Sequence, residues 1–197
     1  MSAWGTHTLA DIAEALRDGT ASARTLFEIA AAAHASDGGK LNAYRVWDGE
    51  HARQRADAAD KAFKEGRDAG LLQGIPFSAK DLFGISHLDT FAGSPKALPD
   101  KWSKEGPVIK SVLEQGAVLT GKTHQVEFAF GGLGTNAHWP IPRNPWDAKH
   151  TRVSGGSSSG AGVSRIEGSA LVALGSDTAA SIRVPASMTG TVGLKVT

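Results

Sequence analysis

Short apolar runs alternating with turn residues and a helix-length segment constrain this chain more than any other feature. The runs are Gly74 to Ala79, Gly116 to Leu119 and Ala170 to Leu174. Between the first two, Pro107 suits the first turn of a helix that would turn Val108, Val112 and Leu113 inward. Strand–helix–strand alternation of this kind predicts an α/β sheet covered by helices. Upstream, the first 70 residues are rich in Ala and charge and read as helical scaffold. Thr8 is placed to cap a helix over Leu9 to Arg17 that stops at Gly19. Ser22 is placed to cap a second, with Leu26, Ile29, Ala30 and Ala33 on one face and Asp37-Gly38-Gly39 as its stop. Asn42 to Trp47 reads as a short strand, and Glu50 to Gly66 as an amphipathic helix with Ala56, Ala59 and Phe63 inward. The expected organisation is one domain, with residues 1–70 a helical segment packed on a core formed by residues 71–197.

Composition removes several function classes. Lys plus Arg is 21 against 20 for Asp plus Glu, so no charge excess points to nucleic acid or an anionic membrane. With no cysteine, disulfide scaffolds, thiol nucleophiles, iron–sulfur clusters and Cys-based zinc sites are excluded. The stretch from Met1 to His7 lacks a basic start with an apolar run, and no segment reaches about 18 apolar residues. The expectation is a soluble, cytoplasmic protein with no membrane contact. The histidines at 7, 34, 51, 87, 124, 138 and 150 show no HExxH pattern or close ligand spacing, so no metal site is expected.

Three segments are candidates for chemistry. In Gly74-Ile75-Pro76-Phe77-Ser78-Ala79-Lys80-Asp81, Lys80 ends an apolar strand. It either reaches solvent or pairs with Asp81, or it is desolvated enough to become a proton-accepting amine near neutral pH. Gly155-Gly156-Ser157-Ser158-Ser159-Gly160-Ala161-Gly162 reads as a flexible linker or as a nest of backbone N–H groups. It is not a P-loop, because Ala161 and Gly162 stand where Lys and Ser/Thr are needed, and it holds no GxGxxG register. In the third segment, Gly175-Ser176-Asp177-Thr178-Ala179-Ala180-Ser181, small residues let backbone N–H groups converge before a short helix halted near Gly190. Ser181 there is either that helix's cap or part of an oxyanion-hole arrangement. No G-x-S-x-G elbow occurs. Glu114, Glu127, Asp147 and Asp177 are isolated and read as structural or capping carboxylates.

Taken in order, these segments resemble the amidase signature family from about Gly74 onward. The resemblance is carried by Gly74-Ile75-Pro76 with Lys80-Asp81, Gly121-Lys122-Thr123 with Glu127-Phe128-Ala129, and Arg143-Asn144-Pro145-Trp146-Asp147. It is carried most of all by Gly155-Gly156-Ser157-Ser158-Ser159-Gly160 and Gly175-Ser176-Asp177-Thr178 leading to Ser181-Ile182-Arg183-Val184-Pro185-Ala186, with Val192-Gly193-Leu194-Lys195 continuing the pattern. The resemblance implies a mixed β-sheet covered by helices and a cofactor-free amide hydrolase working through a Ser–cisSer–Lys relay. By matching positions, Ser181 would be the nucleophile, Ser157 the bridging serine and Lys80 the base. The backbone N–H groups of Thr178, Ala179, Ala180 and Ser181 would form the oxyanion hole. The implied substrate is a small amide. A glutaminase-type amidotransferase component with partner chains and an inactive short paralogue are the rival readings.

Departures from the pattern matter for the chemistry. Ala179-Ala180 stands where the family commonly has two glycines, and alanine is strained wherever φ must be positive. Ser154 and Val196 occupy usual proline positions, and Ala137 and Pro140 also break the common loop pattern. The chain stops at Thr197, whereas family members typically run to more than twice that length. The expectation is a form truncated after the signature region, with a complementary chain or a second copy covering exposed sheet and apolar surface.

Overall fold

A computed structural model describes residues 7–147 and 149–196, without the side chains of residues 37–39. The reading of Met1 to Thr6 as no secretory start, and Thr197, lie outside the described residues. Helix α1 (Leu9–Asp18) begins as the local rules predict. Thr8 accepts from the Asp11 N–H, the Asp11 carboxylate accepts from the Thr8 N–H, and Gly19 closes the helix in a left-handed conformation. Helix α2 (Ala23–Leu41) starts after Ser22, whose Oγ accepts from the Thr25 N–H at 3.0 Å. It does not stop at Asp37-Gly38-Gly39, as the sequence suggested, but continues to Leu41. Leu41 packs beside Ala43, Tyr44 and Val163, and its carbonyl accepts from the Arg143 N–H. Tertiary contact thus outweighs the cost of about 1 kcal/mol per helical glycine.

Strand β1 (Tyr44–Trp47) leads into α3 (Gly49–Lys64), which buries Ala52, Ala56 and Ala59. Strands β2 (Pro76–Lys80) and β3 (Val118–Thr123) flank helix α4 (Pro107–Glu114) in sequence and are buried along their whole length. On α4 the expected inward face is rotated: Ile109 is fully buried and Val108 is exposed, while Val112 and Leu113 pack against the core. Helix α5 (Ser159–Glu167), strand β4 (Val172–Leu174) and helix α6 (Arg183–Thr189) complete the order. The sheet runs β1-β3-β2-β4, with β2 parallel to both β3 and β4 and β1 antiparallel to β3. β1, from the first 70 residues, is therefore an edge of the same sheet.

Strand geometry sorts the side chains of β2. Phe77 and Ala79 join Ile85, Ile109 and Leu119 on one side of the sheet. The opposite alternation sends Ser78 to Ser164 of α5 and Lys80 to Ser157 just before it. A second core cluster joins α1, α2 and α3 through Ile12, Leu16, Leu26, Phe27 and Ala56 to Ile75 and Val118. Among the described residues no helix is long and apolar enough to cross a membrane.

Candidate active site

Lys80 is fully buried at the end of β2, so it neither reaches solvent nor pairs with Asp81. Asp81 is instead held by Arg45 and Lys122, each at 2.8 Å. The Lys80 Nζ donates to Ser157 Oγ at 2.7 Å and to Ser176 Oγ at 2.8 Å. Burial pushes its pKa down to about 8, against an opposing pull from the Asp177 carboxylate. A neutral amine therefore forms at mildly alkaline pH, where an exposed lysine would remain charged.

The Gly/Ser segment is ordered and buried rather than a linker. Ser157, Ser158 and Ser159 are each 0% exposed. Its backbone is fixed from several sides: Gly156 N–H donates to Gly132, Val126 N–H donates to the Ser157 carbonyl, and Gly160 N–H donates to His124. The Gly156–Ser157 peptide bond is cis. Gly160 admits the chain where it passes β1, since a Cβ there would fall on the Ala43 carbonyl oxygen and 2.9 Å from the His124 nitrogen. The preceding loop is also anchored. Asn144 Nδ2 donates to the Met188 carbonyl at 2.8 Å and Trp146 Nε1 to the Thr189 carbonyl at 2.6 Å, which ties it to α6.

The segment after β4 brings Ser176 to Lys80 and Ser181 beside the Gly/Ser turn, where the Ser158 N–H donates to the Ser181 carbonyl at 3.1 Å. Ser181 does not cap α6; Ile182 holds that position. Among the described residues the Ser181 hydroxyl makes no hydrogen bond, whereas Lys80 and Ser157 are joined directly; Ser181 meets the turn through its carbonyl, at Ser158. Asp177 does more than its isolation in sequence suggested. Its carboxylate accepts from the backbone N–H groups of Ala180, Ile182 and Arg183 and from the Arg183 guanidinium. These bonds, led by Arg183, hold its pKa well below the usual carboxylate range despite burial.

That geometry corrects one expected donor. The Ala180 N–H points at Asp177 Oδ1, 2.7 Å away, and Ala180 has φ +88°, while Ala179 keeps a negative φ. Among the described residues the N–H groups of Thr178, Ala179 and Ser181 donate to no protein acceptor. Ser176 was missed as a partner of Lys80, although it lies within the motif that carried the resemblance. The structure also gathers Asp48, His51 and His87, although the histidine spacing gives no sign of a ligand set.

Residues 26–197 match the Amidase family. The chain belongs to that family. It is 54% identical over 190 residues to the 2-amino-5-chloromuconic acid deaminase of Comamonas testosteroni, covering 96% of this amidase-family chain and 41% of that protein. It is 40% identical over 161 residues to the A subunit of the glutamyl-tRNA(Gln) amidotransferase of Desulforudis audaxviator (strain MP104C), covering 81% of this chain and 32% of the relative. The native peptide amidase from Stenotrophomonas maltophilia superposes with TM-score 0.85 at 28% identity, over 96% of this chain and 40% of that one. The chain thus spans about a third to two fifths of the length of these relatives.

Proposed function

We propose that this chain carries the catalytic relay of an amidase that cleaves a carboxylic amide C–N bond through a serine acyl-enzyme. The observation that carries the reading is the buried Lys80 amine, 2.7 Å from Ser157 Oγ and with its pKa lowered to about 8. Neutral Lys80 takes the Ser157 proton as Ser157 takes the Ser181 proton, and Ser181 Oγ bonds to the amide carbon. The tetrahedral oxyanion is met by the N–H groups of Thr178, Ala179 and Ser181. Ser157 then protonates the leaving nitrogen, the C–N bond breaks, and water cleaves the ester by the same relay in reverse. Ser176, the second acceptor of Lys80, positions the amine toward Ser157. No cofactor enters these steps.

Exposed apolar side chains at Phe130, Val192, Leu194 and Val196 favour a complementary chain or a second copy as partner. The 54% identity to a deaminase favours a second reading, ammonia release from a small unsaturated amino acid. There the enamine tautomerises to an imine, water adds to its carbon, and the relay protonates the departing ammonia. A fluorophosphonate probe tests the nucleophile: wild-type protein becomes labelled and Ser181→Ala does not. Equal labelling of the two would overturn the assignment. Ammonia release from a primary amide panel, set beside release from 2-amino-5-chloromuconic acid, separates the two readings.

A further inference from the structure

We propose that Asp48, His51 and His87 form a site for one divalent transition-metal cation of the zinc type, sharing no residue with the Lys80–Ser157 relay. Their ligand atoms all lie within 4.8 Å of one another. One carboxylate oxygen of Asp48 is 2.8 Å from His51 Nδ1, and the other is 2.6 Å from His87 Nε2. The two imidazole rings stand 4.0 Å apart, tilted by 37°. An ion bound at about 2.0–2.2 Å from each ligand atom would take the place of these two contacts with small side-chain rotations.

Asp48 supplies the second observation. It occupies the N-cap position of α3, where an aspartate ordinarily accepts from the backbone of the first turn, yet its side chain makes no such bond. Instead the carboxylate, only 8% exposed, turns to the two histidines. Its backbone is pinned to β3, since the Asp48 N–H donates to the Thr120 carbonyl at 2.9 Å. The other half is equally supported. His87 sits between the bridged residues Ile85 and Leu88, and its neighbour Ser86 is held through N–H and hydroxyl by Glu105. Two rigid elements far apart in sequence therefore converge.

Ligand chemistry selects the cation class. Two imidazoles and one carboxylate suit zinc, cobalt, nickel or copper, whereas calcium and magnesium take oxygen-rich shells. The histidines are 52% and 36% exposed, leaving a path for the ion and room for water as a fourth ligand. Binding would displace any proton from His51 Nδ1 and His87 Nε2 into solvent. The ion would then staple the start of α3 to the turn that follows the catalytic strand β2.

The test uses the 197-residue chain stripped with a chelator near neutral pH. Zinc is titrated by calorimetry, and cobalt(II) is titrated by its visible absorption as a report on nitrogen and oxygen ligation. The expected result is one saturable equivalent, weakened at least tenfold in His51→Ala and in His87→Ala. Zinc at a hundredfold excess over Kd should raise Tm by roughly 5–10 °C in the wild type and not in the double variant. His51→Gln and His87→Gln replace any alanine variant whose circular dichroism is not native. Absence of saturable binding in the wild type would overturn the proposal, as would unchanged affinity in both single variants.

Discussion

Replacing Ala180 with glycine should stabilise the protein, although the same change at the adjacent Ala179 should weaken it. Ala180 is held at φ +88°, where its methyl group crowds the backbone, and Ala179 is not. An L-residue in the left-handed region costs about 1–2 kcal/mol. Glycine removes that strain but returns about 0.4–1 kcal/mol of freedom to the unfolded chain. The net gain for Ala180→Gly is therefore about 0.5–1 kcal/mol. In a chain of this size that raises Tm by roughly 1–4 °C. Ala179→Gly has only the second effect and should lower Tm by a similar amount. Differential scanning calorimetry of both variants at one pH reads the two signs directly. Glycine would also free the 180 amide to turn from Asp177 toward the reacting carbonyl, so fluorophosphonate labelling should quicken. A fall in Tm for Ala180→Gly equal to that for Ala179→Gly would refute the strain argument.

The remaining predictions concern the lysine and the serine turn. If neutral Lys80 is the base, as proposed, kcat/KM rises with pH along a limb with an apparent pKa of about 8, and Lys80→Met abolishes turnover. The same group acts on stability in a definite window. Its folded pKa lies below the unfolded value of 10.5, so the unfolded chain binds more protons between about 8 and 10.5. The burial penalty is full below that window and lifts as pH rises through it, so the urea midpoint of the wild type should gain on that of Lys80→Met between those values. Gly160→Ala would drive a methyl group into the Ala43 carbonyl and should destabilise at the upper end of about 1–3 kcal/mol, measured by urea unfolding.

Much of the scaffold was legible because short-range rules governed it. Thr8, Ser22 and Gly19 act where their side chains or their lack of one required. Strand β3 was only half visible. Its apolar run ends at Leu119, yet the strand continues through Thr120, Gly121, Lys122 and Thr123. Those polar groups are buried because partners distant in sequence satisfy them: Lys122 by Asp81 and Thr90, Thr120 by Tyr44 and Phe77. At the candidate site, Lys80 and Ser157 came from motif matching and sit together. The loss of the Ala180 donor turned on one φ angle and one carboxylate, which a residue string does not specify. The Asp48–His51–His87 cluster was hidden for the same reason, since only the fold brings His87 back to α3.

Pairing of β2 with β3 is already irregular between Phe77 and Ser78. A slip of a single residue there would exchange the two faces of the strand and present Ala79 or Asp81, according to its direction, to Ser157 in place of the amine. Covalent capture by an acylating reagent would then count only correctly zipped molecules. Titrated against total protein, it would measure misfolded stock that bulk spectroscopy averages away.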